Sequence, residues 1–334
     1  MPWHCCSLTR PNPIKADHFD FNQLPRLHGH PLGSALIRSC PEDFQVDEYI
    51  DLEPSNEGEH LLLHVRKRDQ NTQWVAGLLA QLAQIKRTDI GFCGLKDRFA
   101  VTIQWYSLHL PGRDIEPSQL AHSDFEILAT ARHHRKLRRG MHSGNHFKIT
   151  LRQVDFTPTM LQDRLQAIAE RGVPNYFAEQ RFGHHGNNLH KAQALIDADQ
   201  LKGNRQGTGI YLSAARSWLF NLLVKRRIEL GYLTQDIDGD QSAALWGRGR
   251  SSANGLVAEI ETQVLADWQS WCYALEHAGL KQERRDILLH PQQFEAQWLA
   301  DDQVQMQFSL GVGCYATAVL REISQLLRPE HKPL

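Results

Sequence analysis

The sequence predicts an α+β fold in which a strand-rich part is interrupted by a helix-rich part. Three observations carry this reading. Residues 35–155 are richer in strand-like alternation of apolar and polar side chains, residues 172–290 are richer in helical spacing, and residues 304–328 read as a strand, a glycine loop and a helix. A strand-then-helix tail is suited to rejoining the first sheet, which makes the middle segment an insertion.

The elements follow in order. SALIRSCPEDFQVDEYIDLEPSNEGEHLLLHVRKR (34–68) alternates around a loop centred on EPSNEGE and reads as hairpin-like. TQWVAGLLAQLAQI (72–85) places Trp74, Val75, Leu78, Leu79, Leu82 and Ile85 at helical spacing, with Asn71 or Thr72 as N-cap. TDIGFCGLKDR is then a glycine-rich loop, and AVTIQWYSLHL (100–110) is a strand rich in β-branched and aromatic residues. HSDFEILATARHH and GNHFKITLRQV (144–154) read as two further strands. TPTMLQDRLQAIAERG is a helix stopped at Gly172 and Pro174, and SAARSWLFNLLVKRRIELG (213–231) is a long helix with its own terminal glycine.

Composition narrows the function. Over 334 residues, 41% apolar and 22% charged side chains describe an ordinary globular protein rather than a disordered or fibrous one. Lys and Arg total 37 against 38 Asp and Glu, so no global field points to nucleic acid and any such partner needs a local basic patch. No run is long and apolar enough for a signal peptide or a membrane span, so no membrane partner is expected. Six cysteines stand at 5, 6, 40, 93, 272 and 314 without a CxxC, which fits reduced thiols and a cytoplasmic location.

Four features bear on chemistry. Asp97 lies in GFCGLKDRFAVTIQW between Lys96 and Arg98, cations that favour a charged carboxylate; the plainer reading is a solvated surface turn. RHHRKLRRGMHSGNHF (132–147) crowds five Arg and Lys into eight positions and leads into Gly144, Asn145 and Phe147, the parts that hold phosphates and read an unpaired base. Aromatics stand in polar stretches at Phe44, Tyr176, Phe177, Phe182 and Tyr315, each with core packing as its alternative; Phe44 alternates with Val46. The spacing of His184, His185 and His190 matches no metal-ligand pattern, and Gly203, Gly207 and Gly209 form no phosphate loop, so no metal is expected.

Together GLKDRFAVTIQ, KLRRGMHSGNHF, PNYFAEQRFG, SAARSWLFN and GCYATAVLREI resemble the TruD family of tRNA pseudouridine synthases, in order from PEDF near residue 41 to REI near 323. The resemblance implies isomerisation of a uridine in tRNA, position 13 of glutamate tRNA, with Asp97 as the catalytic carboxylate. It implies substrate contacts from Phe44, Lys96, Asn145, Phe147 and Tyr315, with Arg135, Lys136, Arg138 and Arg139 on the RNA backbone. Tyr315 departs from an expected phenylalanine and Arg38 from an expected lysine, which sets Arg38 aside. The implied fold is a mixed, mainly antiparallel sheet with flanking helices, in a catalytic domain of residues 1–170 and 290–334 interrupted by an α/β insertion domain at 171–289.

An isomerisation adds no group and moves no electron off the substrate, so no cofactor is expected, only an ionised carboxylate and a flipped-out base. A monomer with tRNA as its partner is expected. The alternatives are a non-catalytic RNA-binding protein, which has no use for a carboxylate beside phosphates, and a metal-dependent nuclease built on His184 and His185.

Overall fold

The computed structural model describes residues 19–51, 53, 55–201 and 207–329; Cys5, Cys6 and Gly203 lie outside the described residues. The described residues of 30–170 and 290–329 form one compact unit, and those of 19–29 and 171–289 form another. Residues 19–29 thus group with the helix-rich segment.

In chain order the first unit contributes β1 (Ser34–Ile37), β2 (Phe44–Tyr49), β3 (His60–Arg68), α1 (Thr72–Leu82), β4 (Ile90–Phe92), β5 (Val101–His109), β6 (Phe125–His133), β7 (Gly144–Arg152) and α2 (Pro158–Arg171). The other unit follows with β8 (Val173–Pro174), α3 (Asn187–Asp197), α4 (Gly209–Glu229), β9 (Ser242–Leu245), α5 (Gly255–Leu265), α6 (Gln269–His277), β10 (Glu283–Asp286) and β11 (Leu288–Leu289). The chain then returns with β12 (Gln292–Ala300), β13 (Gln303–Gly311), α7 (Ala316–Arg321) and β14 (Gln325–Leu327).

The first unit is built on one mixed sheet in the order β12-β13-β7-β2-β5-β3-β6, with β1 and β14 paired beside β7 and β4 beside β5. Among the described residues, only β2 with β5 and β1 with β14 run parallel in this sheet. The mainly antiparallel character expected from the resemblance is therefore present. The tail does rejoin this sheet: β13 pairs β7 from Gln303↔Arg152 to Gly311↔Gly144.

Two expectations change. Residues 34–68 are not a hairpin, because β5 lies between β2 and β3 and pairs with both. A two-residue turn would force adjacency; the connection at 50–59 is long enough to carry β3 past one intervening strand. The final helix stops at Arg321, because Gln325–Leu327 is drawn into the parallel pairing with β1.

Helix α1 begins where the sequence placed it, with the Asn71 side chain accepting from Trp74 N at 2.7 Å. Its Val75, Ala76, Leu79 and Ala80 pack on Leu61, Leu63 and Val65 of β3 and on Tyr106 and Leu108 of β5. This fixes the face of the sheet on which residues 93–100 lie. Trp74 leaves that stripe and donates its indole N–H to Asp124.

In the other unit α4 is central, burying Trp218, Leu219, Phe220 and Leu223. Buried Asn221 accepts from Phe177 N and donates to Phe177 O, both at 2.9 Å, so the SAARSWLFN and PNYFAEQRFG stretches meet there. Tyr176, Phe177 and Phe182 are core residues. Among the described residues no helix is long and apolar enough to cross a membrane.

Candidate active site

The site forms where one edge of β5 changes partner. Pairing with β2 runs from Gln45↔Val101 to Asp47↔Ile103, and β4 takes over the same edge at Phe92↔Tyr106. Residues 93–100 leave the sheet at the gap between these ladders. Their main chain has backbone partners at its ends, Cys93 O accepting from Gly140 N and Ala100 O from Asp69 N, and buried side chains serve the middle in place of a ladder. Gln104 donates to Gly94 O at 3.1 Å; Thr72 Oγ1 donates to Gln104 Oε1 at 2.8 Å and accepts from Lys96 N at 2.9 Å. Lys67, buried beneath, donates from Nζ to Gln70 O at 2.5 Å and to Asp97 O at 3.1 Å. Burial pushes the Lys67 ammonium down to about 8, although the negative charge of Asp97 opposes the shift.

Three ion pairs hang from this loop: Arg98 meets Asp69 at 3.7 Å on the surface, and the other two shape the site. Lys96 turns inward, with Nζ 2.7 Å from Glu48 Oε2, and the two side chains are 6% and 0% exposed. The same Nζ donates to Asn145 Oδ1 at 2.5 Å. An ammonium only donates, so it fixes that amide with Oδ1 inward and leaves Nδ2 free to donate elsewhere. Asp97 turns the other way, and its Oδ2 accepts from Arg38 Nη2 at 2.5 Å, with side chains 17% and 38% exposed. The guanidinium carbon of Arg38 stands 4.1 Å from the centre of the Phe44 ring.

This differs from the sequence reading in three respects. The cation beside Asp97 is Arg38, which that reading set aside, and Lys96 serves Glu48. Phe44 and Phe147 are 3% and 7% exposed: they pack against each other at 6.2 Å between ring centres, Arg38 lies over Phe44, and Phe308 stacks on Phe147 at 5.6 Å. Neither ring presents an open face to a base in this structure. Glu48 was not singled out at all, although Phe44, Val46 and Glu48 alternate onto one face of β2 and mark it as an inward carboxylate.

Tyr315 is half-buried at the N-terminal end of α7, in the loop that follows β13. The other acids of the PEDF stretch are engaged: Arg152 holds Asp43 through Nη2 and Nε at 2.8 and 3.0 Å, and Arg68 holds Glu42 at 2.5 Å.

The basic stretch is an ordered loop with two anchors beside the site. Leu137 is buried with Cys93 and Leu62, and Gly140 N donates to Cys93 O at 2.8 Å. Lys136 turns back to Thr88 O, whereas Arg135, Arg138 and Arg139 are exposed. His142 Cε1 and Lys96 Nζ both lie close to Gly94. Burial, with the charge of Lys96 adding to it, lowers the His142 pKa. Among the described residues no group of three or more His, Cys, Asp or Glu is placed to hold a metal ion. The site thus offers a part-exposed carboxylate bound through one oxygen, an oriented amide donor and a flank of arginines with no ion-pair partner among the described residues, a set suited to nucleophilic or base chemistry on a polyanion.

Comparison with known proteins gives one answer. A family model described as tRNA pseudouridine synthase D (TruD) matches residues 28–204 and 241–323. The tRNA pseudouridine synthase D of Cellvibrio japonicus (strain Ueda107) is 45% identical over 323 residues, covering 94% of this chain and 95% of that protein. That of Aeromonas salmonicida (strain A449) is 42% identical over 341 residues, covering 92% and 96%. The crystal structure of a Methanosarcina mazei protein assigned as tRNA pseudouridine synthase D (TruD) shares the fold, with a TM-score of 0.65 at 23% identity over 88% of this chain and 94% of that one. The chain belongs to the tRNA pseudouridine synthase D family of isomerases.

Proposed function

We propose that this chain converts uridine 13 of glutamate tRNA to pseudouridine, with Asp97 as the catalytic carboxylate. The observation that carries the reading is the presentation of Asp97. Its main chain is pinned by Lys67 and its Oδ2 by Arg38, while Oδ1 takes no hydrogen bond among the described residues. A carboxylate fixed in this way meets a flipped nucleoside without first having to be ordered. The reaction breaks the bond between uracil N1 and the ribose, turns the uracil in place and joins its C5 to the same carbon; the C5 proton is then lost and N1 takes up a proton, so the nucleoside keeps its composition. Asp97 serves as nucleophile or base, and no cofactor or metal is required. Asn145 Nδ2 donates to the substrate, and Tyr315 stacks on the target base. Phe44 and Phe147 act from the packed floor, Phe44 by backing Arg38. Lys96 acts through Asn145. Arg135, Lys136, Arg138 and Arg139 meet the RNA backbone. The catalytic domain comprises residues 30–170 and 290–334 rather than beginning at residue 1, the insertion domain comprises 171–289, with which residues 19–29 group, and the protein works as a cytoplasmic monomer.

The test is to incubate the chain with unmodified tRNA transcripts and map pseudouridine by carbodiimide treatment and primer extension. Conversion at position 13 of glutamate tRNA is expected. Asp97→Asn should keep its fold and its tRNA affinity while single-turnover conversion falls by roughly three orders of magnitude or more, as when an interaction confined to the transition state is lost. Turnover by well-folded Asp97→Asn at about a tenth of the wild-type rate would remove Asp97 from this role.

A further inference from the structure

We infer that Tyr49 is a stacking platform for an unpaired nucleotide of the bound RNA outside the catalytic pocket, on a stretch whose phosphates Arg138 and Arg139 hold; the inference rests on the tRNA reading above. Tyr49 is the last residue of β2 and is 41% exposed, in a strand whose other aromatic, Phe44, is buried. It lies on one rung with Gly144 of β7, which in turn pairs with Gly311 of β13. The ring therefore has no side chain beside it on the next two strands. A methyl group at Gly144 would collide with Tyr49 Oη and Cζ, so the glycine lets the ring lie close against the backbone. One face is thereby supported, and the exposed remainder is an aromatic surface at low conformational cost.

The ring is joined to the basic loop. Ser143 N donates to Tyr49 O at 3.0 Å, Ser143 Oγ donates to Asp51 Oδ2 at 2.5 Å, and Asp51 N donates back to Ser143 Oγ at 3.1 Å. With the bond from Gly140 N to Cys93 O, the loop is fixed on both sides of exposed Met141. Arg138 and Arg139 have no ion-pair partner among the described residues, unlike Arg132 in the same stretch, which pairs with Asp114. Gly144 precedes Asn145 in β7, and because successive residues of a strand face opposite sides of the sheet, the ring lies on the face away from the Asn145 amide and Glu48. One supported aromatic ring beside unneutralised arginines is how single-stranded nucleic acid is held without base-specific hydrogen bonds.

The experiment compares wild type, Tyr49→Phe, Tyr49→Ala and the control Tyr273→Ala, all checked by thermal melting. Substrates are a tRNA transcript and a set of transcripts carrying one abasic residue at successive positions around the modified uridine. Tyr49→Ala should raise KM about tenfold with kcat changed less than about twofold, and Tyr49→Phe should match wild type. One abasic position should raise KM for wild type to the same extent, and Tyr49→Ala should add nothing on that transcript. Arg138→Ala with Arg139→Ala should lower the slope of log affinity against log salt by about 1.4. An unchanged KM for Tyr49→Ala, a penalty that persists on every abasic transcript, a Tyr49→Phe defect equal to that of Tyr49→Ala, or an unchanged salt slope would each overturn the inference. If wild type itself forms no pseudouridine, the proposed function fails instead.

Discussion

Glu48 and Asp97 are two carboxylates within one short stretch of the site, each beside one cation, and their surroundings separate their roles. Glu48 is fully buried and its partner Lys96 nearly so, in a network closed by Asn145. Asp97 keeps more than a third of its side-chain surface exposed and is held through a single oxygen. A closed pair shapes the site and has no free valence for chemistry; a half-open one is restrained and still able to react. Charge and proximity alone would rank the two equally, so exposure decides.

Exchanging each carboxylate for its amide gives the sharpest test. Asp97→Asn should remove activity and leave melting close to wild type. Glu48→Gln should leave the ammonium of Lys96 buried without its counter-charge and lower stability by about 3–5 kcal/mol, measured by denaturant unfolding. Glu48→Gln combined with Lys96→Met should recover part of that loss, since no uncompensated charge remains. Equal melting for Asp97→Asn and Glu48→Gln would break the comparison.

A smaller effect is expected from Lys67, which supports Asp97 from below. The folded protein releases this proton at about 8 and the unfolded chain near 10.5, so between those values the unfolded state binds more protons. The stability contributed by Lys67 must then rise with pH across that window. The gap in unfolding free energy between wild type and Lys67→Met should widen from pH 7.5 to pH 9.5. A gap that narrows would show that the Lys67 charge is needed more than its burial penalises it.

Much of this was legible in the sequence. Period-two alternation located β3, β5, β6 and β7, and the Asn71 cap with its apolar stripe located α1. The three-residue β4 is too short to carry a period, and strand neighbours are set by a ten-stranded sheet that no local pattern encodes. The basic loop and Asp97 stood out by composition, but the pairing around Asp97 did not. Consecutive residues of an extended loop project to opposite sides, so Lys96 and Asp97 are poor partners for each other despite their adjacency. Arg38, distant in sequence and attached to another strand connection, was available only through the fold. The burial of Phe44 was the alternative that its alternation with Val46 offered, whereas that of Phe147 was not read from the sequence.

Arg38 also shows what the fold concedes to the site. Its backbone has a φ of 62°, a left-handed conformation unfavourable for a residue with a side chain, and its Nε is buried without a hydrogen-bond partner. Both features oppose folding, and both accompany the placement of the guanidinium against Phe44 and Asp97. Arg38→Gly should therefore stabilise the chain by up to about 1 kcal/mol wherever relief of the backbone exceeds the lost contacts, and should impair turnover at the same time. On the proposed role of Asp97, selection for thermal resistance alone would drift away from arginine at this position at the expense of turnover.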